Sequence, residues 1–256
     1  MTEIDIKNDS FTCRQDDDLA VLTILEGAKK ILTEVGSKED LMSILETIKN
    51  SKKIKGLAIL YSDKYPGNDE YKRFLLELLE EKQYQDKSRY TVTYKSAIIQ
   101  FLKIINKYPI PIVGGMDGDV GPDSFGLNLA FDLRIATERT IFFNPNLQLG
   151  FPPSALLSFY LVRSLGSPMA TEMMLTKSEI SSDEALDLRL ITQIVSAEDL
   201  EYTCLEKLRE LSTIPNHALV EARRILQPSI DEIRNHIDAG IEGSLRSLYK
   251  MSSLKK

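Results

Sequence analysis

The sequence has few of the side chains that commonly bind metal ions or form disulfides. Among its 256 residues are only two cysteines and two histidines. Cys13 and Cys204 are far apart in the chain, and neither His217 nor His236 has a cysteine nearby. This distribution argues against a zinc site and is typical of a protein from a reducing compartment. We therefore expect no metal ion in this protein.

Long apolar runs and an excess of basic residues are also missing. No apolar stretch approaches the roughly 20 residues that a membrane span requires. The first residues lack the basic and then apolar pattern of a secretory signal. The formal net charge is −6, which argues against a general nucleic-acid surface. We expect a cytoplasmic protein that binds neither membranes nor nucleic acid.

The residues that are present indicate a globular chain with a substantial core, since 43% are hydrophobic and 27% are charged. Apolar runs predict strands at residues 20–24, 56–61 and 110–116. A capping box at 37–40 predicts the start of one helix, and apolar spacing predicts another that ends before Pro109. Strands that alternate with helices indicate a parallel sheet.

The second half of the sequence predicts mainly helices. An apolar helix from Ser154 is expected to stop at Gly166, and a capping box at 181–184 opens a further helix. A short strand is predicted at 190–195, and the residues after it are helical in pattern. The expected organisation is a core of residues 1–195 followed by a helical C-terminal region of residues 196–256.

The most informative stretch covers residues 109–150. It begins with Pro-Ile-Pro-Ile-Val-Gly-Gly, passes through a turn at 121–126 and the run Asp-Leu-Arg-Ile-Ala at 132–136, and ends with Asn-Pro-Asn at 144–146. Further matching signatures follow at 163–166, 170–176 and 180–185. With these motifs the chain resembles the crotonase (enoyl-CoA hydratase/isomerase) family, and the pattern fits residues 109–195 without a gap.

The resemblance implies an α/β fold, the crotonase-like (ClpP/crotonase) ββα spiral, with a helical C-terminal region that supports trimerisation. It implies an acyl-CoA or acyl-carrier thioester as substrate or ligand, and no further cofactor. It also implies a homo-oligomer, a trimer or a hexamer. We expect the apolar faces around Leu205, Leu208, Ala222 and Ile225 to serve this assembly.

In the family, two backbone N–H groups form an oxyanion hole that binds the thioester carbonyl. The resemblance places one donor at Asn68 and the other at Asp123, where Pro122-Asp123-Ser124 replaces a glycine triplet. An aspartate brings bulk and negative charge to this position. Three interpretations stay open: Asp123 caps the helix, Asp123 is an acid, base or ligand-binding carboxylate, or the loop is shifted so that Ser124 is the donor.

The acid–base residues of the family are replaced as well. The two hydratase glutamates correspond to Gly126 and Asn146, neither of which can transfer a proton as a glutamate does. We therefore expect no hydration by the usual route. The resemblance leaves Asp123 and Asn146 as candidate catalytic residues. The candidate substrate-binding residues are Lys64, Tyr65, Gly67, Ser124, Gly126 and Asn144.

Two hypotheses about function follow. The protein is either an enzyme, an acyl-CoA isomerase, hydrolase or lyase with chemistry that does not depend on glutamate, or a non-catalytic homologue that acts as a structural or ligand-binding subunit. The preserved scaffold favours the first, and the loss of both glutamates favours the second. An unrelated αβ binding protein is a third, weaker alternative.

Overall fold

A computed structural model describes residues 4–25, 35–61, 68–80 and 84–254 of the chain. The strands in these ranges are β1 (Asp5–Lys7), β2 (Phe11–Asp16), β3 (Leu19–Ile24), β4 (Gly56–Tyr61), β5 (Ile112–Met116), β6 (Asp119–Val120), β7 (Leu133–Thr137), β8 (Ile141–Phe143), β9 (Glu179–Ser181) and β10 (Gln193–Val195). The helices are α1 (Val35–Asn50), α2 (Asn68–Glu80), α3 (Tyr84–Ile105), α4 (Pro122–Asn128), α5 (Ala155–Thr176), α6 (Ser182–Asp187), α7 (Leu200–Leu211), α8 (Asn216–Leu226) and α9 (Ile230–Leu254).

The strands form a seven-stranded sheet in the order β1-β2-β3-β4-β5-β7-β10 and a three-stranded sheet in the order β6-β8-β9. In the larger sheet β1, β2 and β3 pair antiparallel, whereas β3, β4, β5, β7 and β10 pair parallel. In the smaller sheet β8 is parallel to β6 and antiparallel to β9. The predicted parallel sheet is confirmed.

Both faces of the larger sheet are covered, which explains the continuous apolar run of β4. Leu57 and Ile59 belong to the main core, whereas Ala58 and Leu60 point to a second cluster on the opposite face. Helix α7 supplies the helical part of that second cluster. A central parallel strand covered on both faces reads as apolar throughout, as the sequence indicated.

The predicted assembly faces need correction. Leu205 and Leu208 are 6% and 0% exposed and pack on the sheet of their own chain, so these side chains are already buried. Ile225, by contrast, is 72% exposed on α8. Helical spacing alone cannot tell an apolar face that covers the sheet from one that remains uncovered.

Some of the predicted helix starts and ends are confirmed, and others are wrong. The capping box at 181–184 is confirmed, with Ser181 as the N-cap of α6. Gly166, with φ of 75°, interrupts α5 as predicted. The capping box expected at 37–40 is wrong, because α1 already includes Val35 and the Ser37 hydroxyl lies 3.0 Å from that of Ser10.

A buried ion pair ties the C-terminal helices to the start of β5. Arg223 of α8 is 6% exposed and donates to Asp132 and to the carbonyl oxygens of Tyr108 and Ile110. Asp132 also accepts a 2.7 Å hydrogen bond from the amide of Ile112. This network holds α8 against the loop that enters the central sheet.

Candidate functional site

Helix α4 begins in the turn where the family resemblance places the second oxyanion donor. Gly121 is the N-cap, with extended backbone (φ −74°, ψ 163°), and Pro122 is the first helical residue. The interpretation of Asp123 as the helix cap is therefore wrong. Proline suits the first helical position because it lacks the N–H that would find no partner within the helix. Asp123 and Ser124 follow in the first turn.

The Asp123 side chain turns toward the next long helix. It is 8% exposed, and its Oδ1 accepts a 2.7 Å hydrogen bond from the hydroxyl of Ser154. Ser154 is the N-cap of α5, where its Oγ also accepts from the amide of Leu157 at 3.4 Å. One hydroxyl therefore caps α5 and fixes the carboxylate of α4.

Gly126, which the resemblance matches to the first family glutamate, packs against the first turn of α5. A Cβ atom placed on this glycine would come within 2.9 Å of the Leu157 nitrogen and 3.1 Å of the Leu156 carbonyl carbon. Both are backbone atoms, which cannot rotate away as a flexible side chain does. A glutamate at 126 would require the two helices to separate.

Asn146, which the resemblance matches to the second family glutamate, uses both ends of its amide within the protein. Its Oδ1 accepts a 3.0 Å hydrogen bond from the hydroxyl of Tyr71, and its Nδ2 donates to the carbonyl of Pro152 at 2.9 Å. The side chain is 5% exposed. Because buried amides are stable when both ends are paired, Asn146 serves as a cross-link here.

Tyr71 was not singled out from the sequence, yet it connects three parts of the site. Its ring meets the ring of Phe143 edge-on at 6.1 Å, and a Cβ on Gly121 would lie 3.9 Å from it. The available signal was its spacing, because Tyr71 follows Asn68 by three residues and such positions share one face of a helix.

Some of the remaining predicted site residues lie in the described part of the chain, and others do not. Asn68 is the first residue of α2, and its Oδ1 is buried without a hydrogen-bond partner in the part of the chain that the structure describes. The predicted residues Lys64, Tyr65 and Gly67 lie outside the described residues. The Ser124 carbonyl accepts a 2.9 Å hydrogen bond from Asn128.

Asn144 faces a different space from Asn146. Its Nδ2 lies 3.7 Å from the Met174 sulfur, and its Oδ1 is buried and meets no donor among the described residues. The residue lines a small cleft that is partly open to solvent. The other walls are mainly apolar and include Phe125, Phe142, Phe143, Leu157 and Met173. The structure thus separates Asn144 from the contacts of Asp123 and Asn146.

Burial shifts the pKa values of two side chains in and near α5. Burial raises the pKa of the Tyr160 phenol above its ordinary value, and it lowers the pKa of His236. The Nε2 of His236 lies 3.1 Å from the Ser158 hydroxyl.

Among the described residues, no three His, Cys, Asp or Glu side chains are close enough to hold a metal ion. No described helix has the length and apolar character of a membrane span.

Comparison with known proteins decides the family. Residues 34–253 match the enoyl-CoA hydratase/isomerase family. The chain belongs to this family. An enoyl-CoA hydratase structure from Bacillus halodurans superposes with a TM-score of 0.76 at 18% identity, covering 93% of this chain and 95% of that one. A probable enoyl-CoA hydratase from Mycobacterium thermoresistibile gives 0.70 at 17% identity over 96% and 99%. The predicted crotonase-like fold is confirmed.

Two curated relatives each match about half of this chain. The 4-chlorobenzoyl coenzyme A dehalogenase-1 of Arthrobacter sp is 30% identical over 133 residues, which cover 52% of this chain and 47% of that protein. The methylmalonyl-CoA decarboxylase of Escherichia coli K12 is 27% identical over 121 residues, covering 47% and 46%. The chain spans about half the length of these relatives.

Proposed function

We propose that this protein binds an acyl-CoA or acyl-carrier thioester, needs no further cofactor, and does not hydrate the acyl group. The packing at Gly126 carries this proposal. Hydration needs one group to deliver water and another to supply a proton. Since the backbone of Leu157 excludes any side chain at 126 beyond glycine, the site has no room for the first glutamate.

The second acid–base position supports the same conclusion. Asn146 is held at both ends by Tyr71 and Pro152, and an amide does not ionise in the pH range where proteins are folded. Asn146 therefore has hydrogen-bond partners of its own in the protein. Neither position then supplies the acid or the base that hydration needs.

Support for thioester binding comes from the family and from two helix starts. Relatives with CoA in their names match this chain, and α2 and α4 begin at the two predicted donor turns. The first amides of a helix have no carbonyl partner within the helix and favour negative charge. We further propose assembly as a trimer or hexamer, for which the exposed Ile225 and Leu226 of α8 offer apolar surface.

A second candidate is an enzyme that uses Asp123. The observation in its favour is a carboxylate that is 8% exposed in the donor turn and oriented by the Ser154 hydroxyl. A carboxylate held in this way can act as a base or a nucleophile. The expected reaction would then be that of an isomerase, hydrolase or lyase.

Calorimetry with acetyl-CoA and hexanoyl-CoA tests the proposal, with Asn68→Pro and Asp123→Gly as variants. Proline is tolerated at Asn68 because this is the first residue of α2, so Asn68→Pro removes the donor and leaves the helix. We expect binding by the wild type that weakens about two- to tenfold in Asn68→Pro, the loss of one hydrogen bond to the neutral thioester carbonyl.

The hydration of crotonyl-CoA, followed by loss of its absorbance, is measured in parallel. Hydration by the wild type would contradict the first candidate, and turnover of any of these thioesters that is lost in Asp123→Gly would support the second. Failure of the wild type to bind either thioester, with binding gained in Asp123→Gly, would show that the carboxylate blocks the site.

A further inference from the structure

Tyr71 occupies the space between the α4 turn and the position of the second acid–base residue. Its hydroxyl is 3.0 Å from Asn146 Oδ1, and its ring lies against Phe143 and close to Gly121. Three separate segments, α2, β8 and the loop after β8, therefore converge on one phenol.

In the proposed thioester site the acyl carbons would lie beside this phenol. A residue at position 146 that acts on the carbons next to a thioester carbonyl must lie within hydrogen-bond reach of them. Asn146 fills that position here, and the Tyr71 hydroxyl lies at 3.0 Å from it. A bound thioester would therefore direct its acyl chain toward the Tyr71 ring.

We propose that Tyr71 closes the acyl end of the site and limits the bound acyl group to a few carbons. The proposal rests on the proposed function, since it assumes that a thioester binds between the α2 and α4 turns. Tyr71 is a specificity-determining residue in this view, and the volume of its ring sets the limit on the acyl group.

The helix that carries Tyr71 is anchored, so the ring is held in place. Leu75, one turn later on α2, is 4% exposed and packs with Phe151 and with Leu248 of α9. Displacement of the ring would leave the buried Asn146 Oδ1 without its hydrogen bond, which is unfavourable. A long acyl chain must compete with both contacts, whereas an acetyl group need not.

The experiment compares the Kd of acetyl-CoA and hexanoyl-CoA for the wild type, Tyr71→Ala and Tyr71→Phe. Each additional buried methylene strengthens binding about fourfold. We therefore expect Tyr71→Ala to raise the affinity for hexanoyl-CoA relative to acetyl-CoA by at least about tenfold. Tyr71→Phe keeps the ring and should retain the wild-type preference. Tyr202→Ala, at a tyrosine that is 63% exposed on α7, is the matched control.

The outcomes separate this inference from the proposed function. Binding of acetyl-CoA with the same chain-length preference in the wild type and Tyr71→Ala would overturn the inference and leave the proposed function standing. A relaxed preference in Tyr71→Phe would also overturn it, because ring volume would not be the limit. Binding by none of the proteins would refute both.

Folding of the variants is checked by circular dichroism and the urea midpoint. If Tyr71→Ala unfolds, Tyr71→Leu replaces it, because leucine keeps an apolar contact with Phe143 while it shortens the side chain. The same shift toward hexanoyl-CoA is expected, and its absence would contradict the proposal.

Discussion

The hydroxyl of Ser154 donates a 2.7 Å hydrogen bond to the carboxylate of Asp123 and thereby joins the starts of α4 and α5. Two residues earlier, the carbonyl of Pro152 accepts from the Asn146 amide. Both candidate catalytic residues are therefore bound to one short segment, residues 152–154. Any movement of the start of α5 would therefore displace both Asp123 and Asn146.

Ser154→Ala should lower the free energy of unfolding by about 2–4 kcal/mol, because it removes a helix cap and one partner of a buried carboxylate. Ser181→Ala, which removes only the cap of α6, should cost about 1 kcal/mol. Urea denaturation measures both. In a protein that already carries Asp123→Ala, Ser154→Ala should lower the free energy of unfolding only by the contribution of a helix cap, about 1 kcal/mol. An unchanged cost would mean that the bond to Asp123 contributes nothing.

Gly126→Ala should lower the free energy of unfolding by about 1–3 kcal/mol, since its Cβ would meet the backbone of α5 at 2.9 Å. Gly126→Glu should be more destabilising still. Gly36→Ala is the control, because a Cβ on this helical glycine meets no atom within 4 Å. It should be neutral or stabilising by up to about 1 kcal/mol. Equal effects at the two glycines would contradict the close packing of α4 and α5.

Arg223→Ala should cost about 3–5 kcal/mol, because it leaves the Asp132 carboxylate and two backbone carbonyls without their buried partner. The neighbouring Arg224 is 71% exposed and pairs with Glu221 one turn away. Arg224→Ala should change stability by less than about 1 kcal/mol. Thermal and urea unfolding of the two variants provide the comparison. Similar unfolding midpoints would show that the buried network of Arg223 does not hold α8 in place.

Asp117→Asn should be destabilising at neutral pH and less so in acid. The hydrogen bond from Arg139, followed by that from Thr137, lowers the pKa of the Asp117 carboxyl, against burial, which raises it. A lowered folded pKa contributes stability above the unfolded pKa of about 3.9 and loses it as the pH falls through the folded value.

Unfolding free energies of the wild type and Asp117→Asn at pH 7 and pH 3 test this dependence. The difference between the two proteins should narrow at pH 3. Asp231→Asn, at a side chain that is 82% exposed, should show a small difference at both pH values. A gap for Asp117→Asn that stays constant with pH would show that the ion pair with Arg139 is not responsible.

Local sequence signals predicted those features that depend on neighbouring residues. The strand β4 matches the apolar run at 56–61, and the α6 cap matches its capping box. The helix that spans Ser37 shows the limit of such signals. A serine with an acidic residue three positions later also occurs inside helices, and here the hydroxyl meets Ser10 instead.

The candidate site depended on contacts between distant parts of the chain. Asp123 and Ser154 are separated by 31 positions, and Tyr71 and Asn146 by 75. The resemblance identified positions 123, 126 and 146 as altered, but the partners that now hold Asp123 and Asn146 have no motif of their own.

The sequence by itself determined the family and the parallel sheet, because motif spacing and hydrophobic periodicity are properties of the linear chain. Only the tertiary structure decided that Gly126 is required by helix packing, that Asn146 is a cross-link, and that Tyr71 lies at the site. These depend on which surfaces of α2, α4 and α5 meet, and that is set by the packing of the whole core.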